Sequence, residues 1–201
     1  MVEAMSSPDP SDSGAIPAAG DSRRGLPKGQ PAVSLDPGLY VVSTPTGNLR
    51  DITLRALDVL TAADEVLAED TRVAGKLMSA YGLKARLSPY HDHNGAERRP
   101  GLIRALQGGA KIALVSDAGT PLVSDPGFKL ARDAAEAGLN VVPLPGASAV
   151  LAALVTAGLP SDIFTFAGFL PAKSSARKSE LLKFVTVPGT LIIFESAGRL
   201  K

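Results

Sequence analysis

Cysteine is absent from the 201 residues, so disulfides, thiolate nucleophiles and thiolate-bound zinc are all excluded. Tryptophan is absent too and aromatics make up only 4%, which leaves a core built from Ala, Leu and Val. Neither sign of charge dominates. With 21 basic residues against 20 acidic ones, any contact with nucleic acid has to come from a local patch. No apolar run reaches the roughly 18–20 residues that a membrane span requires, so no membrane association is expected. The opening MVEAMSSPDPSDSG has neither a basic n-region nor an apolar centre and does not read as a secretory signal. A soluble cytoplasmic protein is the expectation. What the chain does have is 45% hydrophobic residues, enough for packed helices and strands, punctuated by 20 glycines and 16 prolines.

Residues 1–36 are rich in Pro, Gly, Ser and Asp without apolar periodicity, and read as a disordered tail. Strands are then expected at Gly38–Ser43, Glu65–Ala68, Arg86–Pro89, Lys111–Val115 and Asn140–Val142. Helices alternate with them. One is capped by Asp51 and runs to Leu60, with Ile52, Ala56, Leu57 and Leu60 inward. Thr71–Tyr81, about Glu97–Gln107, Phe128–Ala137 and a very apolar helix ending at Gly158 follow. This alternation predicts an α/β fold with a parallel sheet and right-handed crossovers. Leu159–Asp162 reads as a linker. A strand at Phe164–Gly168, a basic helix from Lys173 to Val185 and a strand at Thr190–Phe194 come after it. Domains are therefore expected at 37–157 and 158–201, the second too small to close its own core and taken as the truncated start of a longer one.

The helix-to-strand turns are short and plain, whereas the strand-to-helix loops hold the Pro-Gly turns, the acidic groups and both histidines. In an open α/β sheet ligands bind beyond the carboxyl ends of the strands. The loop of KIALVSDAGTPLVSDPG, residues 111–127, stands out. Two Asp-Gly/Pro turns in tandem, straight off a buried strand, allow close approach to the main chain. No G-x-G-x-x-G follows the first strand and no G-x-x-x-x-G-K-[ST] occurs, which argues against dinucleotide and P-loop folds. Ser148 caps the helix it begins rather than acting as a nucleophile, and that helix start suits an anion. His91 and His93 lack a third ligand, so no metal site is expected. Of the Glu69-Asp70 pair, either residue suits a general base; equally, Asp70 suits a helix cap and Glu69 a partner for Arg72. Lys173, Arg177, Lys178 and Lys183 form a small basic face.

Eight stretches carry a resemblance: STPTGNLRDITLRAL, AEDTR, HDHN, ALVSDAGTPLVSDPG, VPLPGASA, GLPSD, GFLPAK and FESAGRL. In this order and spacing, from about Leu39 to the last residue, they resemble the tetrapyrrole-methylase-like, class III S-adenosylmethionine-dependent methyltransferases. Within that family they point to the branch acting on small-subunit ribosomal RNA. The resemblance implies a tetrapyrrole-methylase-like α/β fold of two domains, S-adenosylmethionine in the cleft between them, and a homodimer. The implied reaction is methyl transfer to the ribose 2′-oxygen of a cytidine in 16S rRNA within the small ribosomal subunit. Implied cofactor contacts are Pro45 and Gly47, then Asp117, Ala118, Gly119, Thr120 and Pro121, then Pro145, Gly146, Ala147, Ser148 and Ala149. Glu69, Asp70, Asp92 and His93 are candidates for the group that takes the hydroxyl proton, and Lys173, Arg177 and Lys178 for touching RNA. The chain departs from the family pattern at Ser43, Thr46 and Ala147, and at Ala197-Gly198 where Pro-His is usual. Two other readings stand beside the first: a precorrin-type tetrapyrrole C-methylase, and a non-catalytic cofactor-binding or dimerising fragment.

Overall fold

Alternate residues of the central strands feed two different cores, which fixes a sheet between two helical layers. In a computed structural model, residues 34–123 and 127–199 are described. The strands are β1 (Gly38–Val42), β2 (Glu65–Ala68), β3 (Leu87–Pro89), β4 (Lys111–Val115) and β5 (Val141–Leu144). They form one sheet in the order β3-β2-β4-β1-β5, with every pairing parallel. All five residues of β1 are buried, as expected of a strand covered on both faces.

Tyr40, Val42, Val66, Ala68, Ala113 and Val115 point to one face and pack under α1 (Leu54–Ala62) and α2 (Thr71–Ala80). Leu39, Leu67, Ile112 and Leu114 point to the other, under α3 (Asp92–Gln107) and α4 (Phe128–Glu136). Leu130 and Ala134 face inward as their spacing predicts, with Ala131 partly buried beside them. β5 takes in Pro143, which it tolerates because it is an edge strand and needs no donor on its outer side.

Three local expectations are corrected. The α1 cap is Thr53, whose Oγ1 accepts from Ala56 N at 3.1 Å; Asp51 lies in a short 3₁₀ turn one step earlier, separated by an extended Ile52. α3 begins at Asp92 rather than Glu97, so HDHN is not a loop. His91 N donates to Asn94 Oδ1 at 2.9 Å, and Asn94 Nδ2 donates to the Pro89 carbonyl at 3.0 Å. A Cβ on Gly95 would stand 3.2 Å from Tyr90 Oη, so the glycine inside α3 admits that ring. Finally, the expected tail is anchored at its inner end. Leu35 packs on the first core and the Asp36 carbonyl accepts from Tyr40 Oη at 2.6 Å, while residues 1–33 lie outside the described part. The second half of the 116–127 loop, at Ser124–Pro126, also lies outside it.

After β5 comes α5 (Ala149–Thr156), then β6 (Phe164–Phe169), α6 (Ser174–Leu182) and β7 (Thr190–Phe194). β6 and β7 pair in parallel as a separate two-stranded sheet. It rests on α5, where Val150 and Leu154 meet Ile192, Phe166 and Phe194. Among the described residues no helix is long and apolar enough to cross a membrane. Leu130 is wholly buried where α4 lies on the sheet. Leu130→Ala is expected to lower unfolding free energy by about 2–5 kcal/mol in urea titrations. A loss well under 1 kcal/mol would show that α4 does not hold the sheet.

Candidate functional site

The strand order places a crevice between β1 and β4. β1 leads to α1 on one face of the sheet and β4 leads to α4 on the other, so the two neighbouring carboxyl ends part. Such a switch point is where open α/β sheets take their ligands. The loops do not drift apart, however. Thr44 and Gly119 form an antiparallel bridge, with Thr44 N to Gly119 O at 2.8 Å and Gly119 N to Thr44 O at 3.0 Å. Thr44 Oγ1 donates to the Ser116 carbonyl at 3.0 Å, and Ser116 Oγ donates to that of Gly119 at 2.8 Å. Gly119 can turn this corner because its φ is +84°, a value L side chains rarely adopt.

The β5 loop joins them. Thr120 Oγ1 lies 3.0 Å from Ser43 Oγ and donates to the Ala147 carbonyl at 3.4 Å. A Cβ on Gly146 would stand 2.7 Å from the Ser43 Cβ, so no other residue fits between these loops without displacement. The three stretches 43–47, 116–121 and 145–149, far apart in sequence, thus share one rim. Gly47, Asp117, Ala118, Pro145, Gly146 and Ala149 are exposed there, whereas Gly119 and Pro121 are buried behind them. Ser148 caps α5 by accepting from Leu151 N at 3.4 Å. The rim is small side chains and open main chain, which suits a flat ligand bound through backbone groups.

Next to it, beyond β2, β3 and β4, opens a pocket of about 470 Å³ lined by Glu69, Asp70, Arg72, His91, His93 and Asp117. Asp70 is the N-cap of α2: its Oδ1 accepts from Arg72 N at 2.8 Å, and its carboxylate accepts from Arg72 Nε and Nη2 as well. The Arg72 guanidinium therefore pairs with Asp70, not with Glu69. Asp70 N donates to Asp117 Oδ1 at 3.2 Å, which joins the β2 loop to the β4 loop. The Arg72 hydrogen bonds hold the Asp70 carboxyl down at about 2, well below the usual carboxylate range. A carboxylate so held is a weak base.

Glu69 and His93 line the pocket; Asp92 is not among its lining residues and stands exposed in the first turn of α3. His91, absent from the candidate bases, lines it too, with its ring 5.8 Å from that of His93. Arg72 is the other residue the sequence reading left out of the site; the N-cap position of Asp70 was the available signal. Arg177 is not a free cation: Nη2 donates to the Ala172 carbonyl at 3.1 Å and Nη1 lies 4.0 Å from Glu195, which also pairs with Arg199 at 2.6 Å. Lys173 and Lys178 are exposed on α6 and its cap. No group of three potential metal ligands occurs among the described residues. A wider hollow of about 730 Å³, lined by Gly75, Met78, Leu83 and Leu87 among others, opens on the other edge of the sheet and lacks such chemistry.

Residues 38–201 match the model of the tetrapyrrole (corrin/porphyrin) methylases, and the chain belongs to this family of α/β methylases. Within it, the chain is 58% identical over 170 residues to the ribosomal RNA small subunit methyltransferase I of Mesorhizobium japonicum, covering 85% of this chain and 58% of that one. To the protein of the same name from Escherichia coli O157:H7 it is 55% identical over 162 residues, 81% of this chain and 57% of the other. The chain thus spans less than two thirds of the length of these relatives. Among solved structures, diphthine synthase aligns with a TM-score of 0.64 at 18% identity, over 80% of this chain and 65% of that one. A cobalt precorrin-4 methyltransferase aligns with a TM-score of 0.56 at 20% identity, over 80% and 70%. These two share the fold.

The Asp70 lock has a pH signature. Its folded pKa lies below the ordinary value of 3.8, so its stabilisation is present above that value and is lost as pH falls towards about 2. Carboxyl-carbon NMR should find Asp70 ionised down to about pH 2, and Asp70→Asn should flatten the acid limb of the stability curve between about pH 4 and 2. Titration at an ordinary aspartate pKa would dissolve the lock.

Proposed function

We propose that this chain carries the donor half of an S-adenosylmethionine-dependent methyltransferase that acts on the ribose 2′-oxygen of a cytidine in 16S rRNA within the small ribosomal subunit. What supports the reading is the meeting of the β1, β4 and β5 loops at the switch point, taken with the 58% identity to a relative of that name. In this reading residues 37–157 hold the donor, 158–201 begin the opposite wall, and two copies work as a dimer in the cytoplasm.

The fit to the donor rests on the rim itself. Gly146 leaves no room for a side chain against Ser43, Gly119 turns with a positive φ, and the exposed residues around them are small. Exposed amides and carbonyls of 45–47, 117–121 and 145–149 would hold the adenosyl and amino-acid ends, and the Asp117 carboxylate suits the ammonium. When bound, S-adenosylmethionine supplies a methyl group on a sulfonium, whose transfer is an in-line displacement that discharges the sulfur. The protein's part is to position the hydroxyl and keep the site ordered. Asp70, tied up by Arg72, organises the loops; Glu69 and His93, on the pocket wall, are the groups left to receive a proton. A tetrapyrrole acceptor fits less well, because its carboxylates would face Glu69, Asp70 and Asp117.

Calorimetry with S-adenosylmethionine is the first test. Asp117→Arg should weaken binding by roughly tenfold to a hundredfold, the worth of a charge-assisted hydrogen bond, with the melting curve little changed. Undiminished affinity would remove the β4 loop from the site. Labelled methyl groups offered to small ribosomal subunits, with tetrapyrrole acceptors in parallel, then separate the two enzymes; binding without transfer to either would leave a cofactor-binding or dimerising module. For the RNA contact, Lys173→Glu with Lys178→Glu should weaken subunit binding and lower its salt slope by about two, with donor affinity unchanged. Equal loss of both affinities would make the α6 face structural.

A further inference from the structure

Beside the rim assigned to the donor, the pocket offers acceptors and donors that the fold leaves unused. Among the described residues the Glu69 carboxylate makes no hydrogen bond or ion pair, although it stands on the pocket wall between the Asp70 cap and the end of β2. Arg72 commits Nε and Nη2 to Asp70, which fixes its guanidinium at the rim and leaves Nη1 over. His91 is held by its backbone on both sides: Tyr90 N donates to the Ala68 carbonyl at 2.8 Å and His91 N donates to Asn94 Oδ1. Its Nδ1 is sealed from solvent over the first turn of α3, facing the Asn94 N–H without closing a full hydrogen bond. An N–H aimed at Nδ1 favours a lone pair there and puts the ring proton on Nε2, so the rest of the ring presents a donor. His93 stands edge-on to it. The volume, about 470 Å³, lies in the range of small-molecule sites.

We propose that this pocket takes the nucleobase of the nucleotide being methylated, splayed out of its strand, and that Glu69 reads it as cytosine by accepting from the exocyclic amine. The proposal rests on the RNA reading above, which makes the nucleotide a cytidine; what the pocket adds is the place that takes its base and the residue that reads it. Cytosine presents an amine beside two acceptors, the ring N3 and O2, and a carboxylate flanked by imidazole and guanidinium donors is its complement. Uracil would set a carbonyl oxygen against Glu69 and leave that carboxylate unpaired. Recognition of an unstacked base on its Watson–Crick edge is the usual way proteins read single-stranded RNA, and chemistry on a nucleotide needs it extruded. Glu69 is then a specificity residue, and His93 is the pocket group left for the hydroxyl proton.

The chain contains two histidines, and both line this pocket, so their imidazole NMR signals report on it alone. With the chain saturated by S-adenosylhomocysteine, titration with cytidine 5′-monophosphate should shift both signals, at an affinity about tenfold above that of uridine 5′-monophosphate, the discrimination of one good base pairing. Glu69→Gln should bring cytidine binding down to the uridine level, leaving S-adenosylmethionine affinity and the melting curve as they were. Equal affinity for the two nucleotides, a preference for guanosine 5′-monophosphate, or cytidine binding that moves neither histidine overturns the proposal. If the preference appears but S-adenosylmethionine does not bind, the donor assignment falls and the base pocket stands. Donor binding without the preference removes the base pocket and leaves the donor rim in place.

Discussion

Because β1 sends its helix to one face of the sheet and β4 to the other, their adjacent carboxyl ends must diverge, and whatever fills the gap has to satisfy main-chain groups that no strand can reach. Here the loops do part of that work themselves through the Thr44–Gly119 bridge and the Ser43, Thr44, Ser116 and Thr120 hydroxyls. Short side chains are required for it. A larger residue at 146 would collide with Ser43, and one without access to positive φ would strain the corner at 119. The rim is therefore poor in bulk because its loops interlock, and that same poverty leaves its backbone open to a ligand.

Electrostatics divide the neighbouring pocket into fixed and free groups. Asp70 is spent on the α2 cap and on Arg72, and its amide ties down Asp117, so one aspartate organises two loops without being a useful base. Glu69, one residue earlier, keeps its carboxylate uncommitted among the described residues. The division follows from position: the residue at the N-cap meets the free amides of the helix, and the one before it does not. Glu195 plays a comparable part on the second sheet, where it gathers Arg177 and Arg199 and so withdraws one cation from the basic face of α6.

The second sheet owes its place to α5. That helix is apolar nearly all round, yet its buried residues, Val150 and Leu154, meet β7. Leu151 and Val155 stay exposed on it, as do Phe164, Phe169, Leu182 and Leu191 nearby. A two-stranded sheet has too little inner surface to cover such residues.

Sequence alone determined most of the elements. Period-two and period-3.6 patterns gave strands and helices close to the observed bounds, the start of α3 apart, and the turn residues lie along the carboxyl edge of the sheet. It failed where spacing does not choose between neighbours: the histidines of HDHN were read in a loop although α3 starts at Asp92, Arg72 was matched with Glu69 although the Asp70 cap holds it, and Arg177 was counted on the basic face although Glu195 lies beside it. Tertiary structure decided the strand order, and through it which loops touch. The contacts that make the site join residues 27 to 77 positions apart, as Thr120 joins Ala147 and Ser43. No periodicity encodes such meetings, because they depend on the order in which parallel strands pack, and that order is set by burying two helical layers at once.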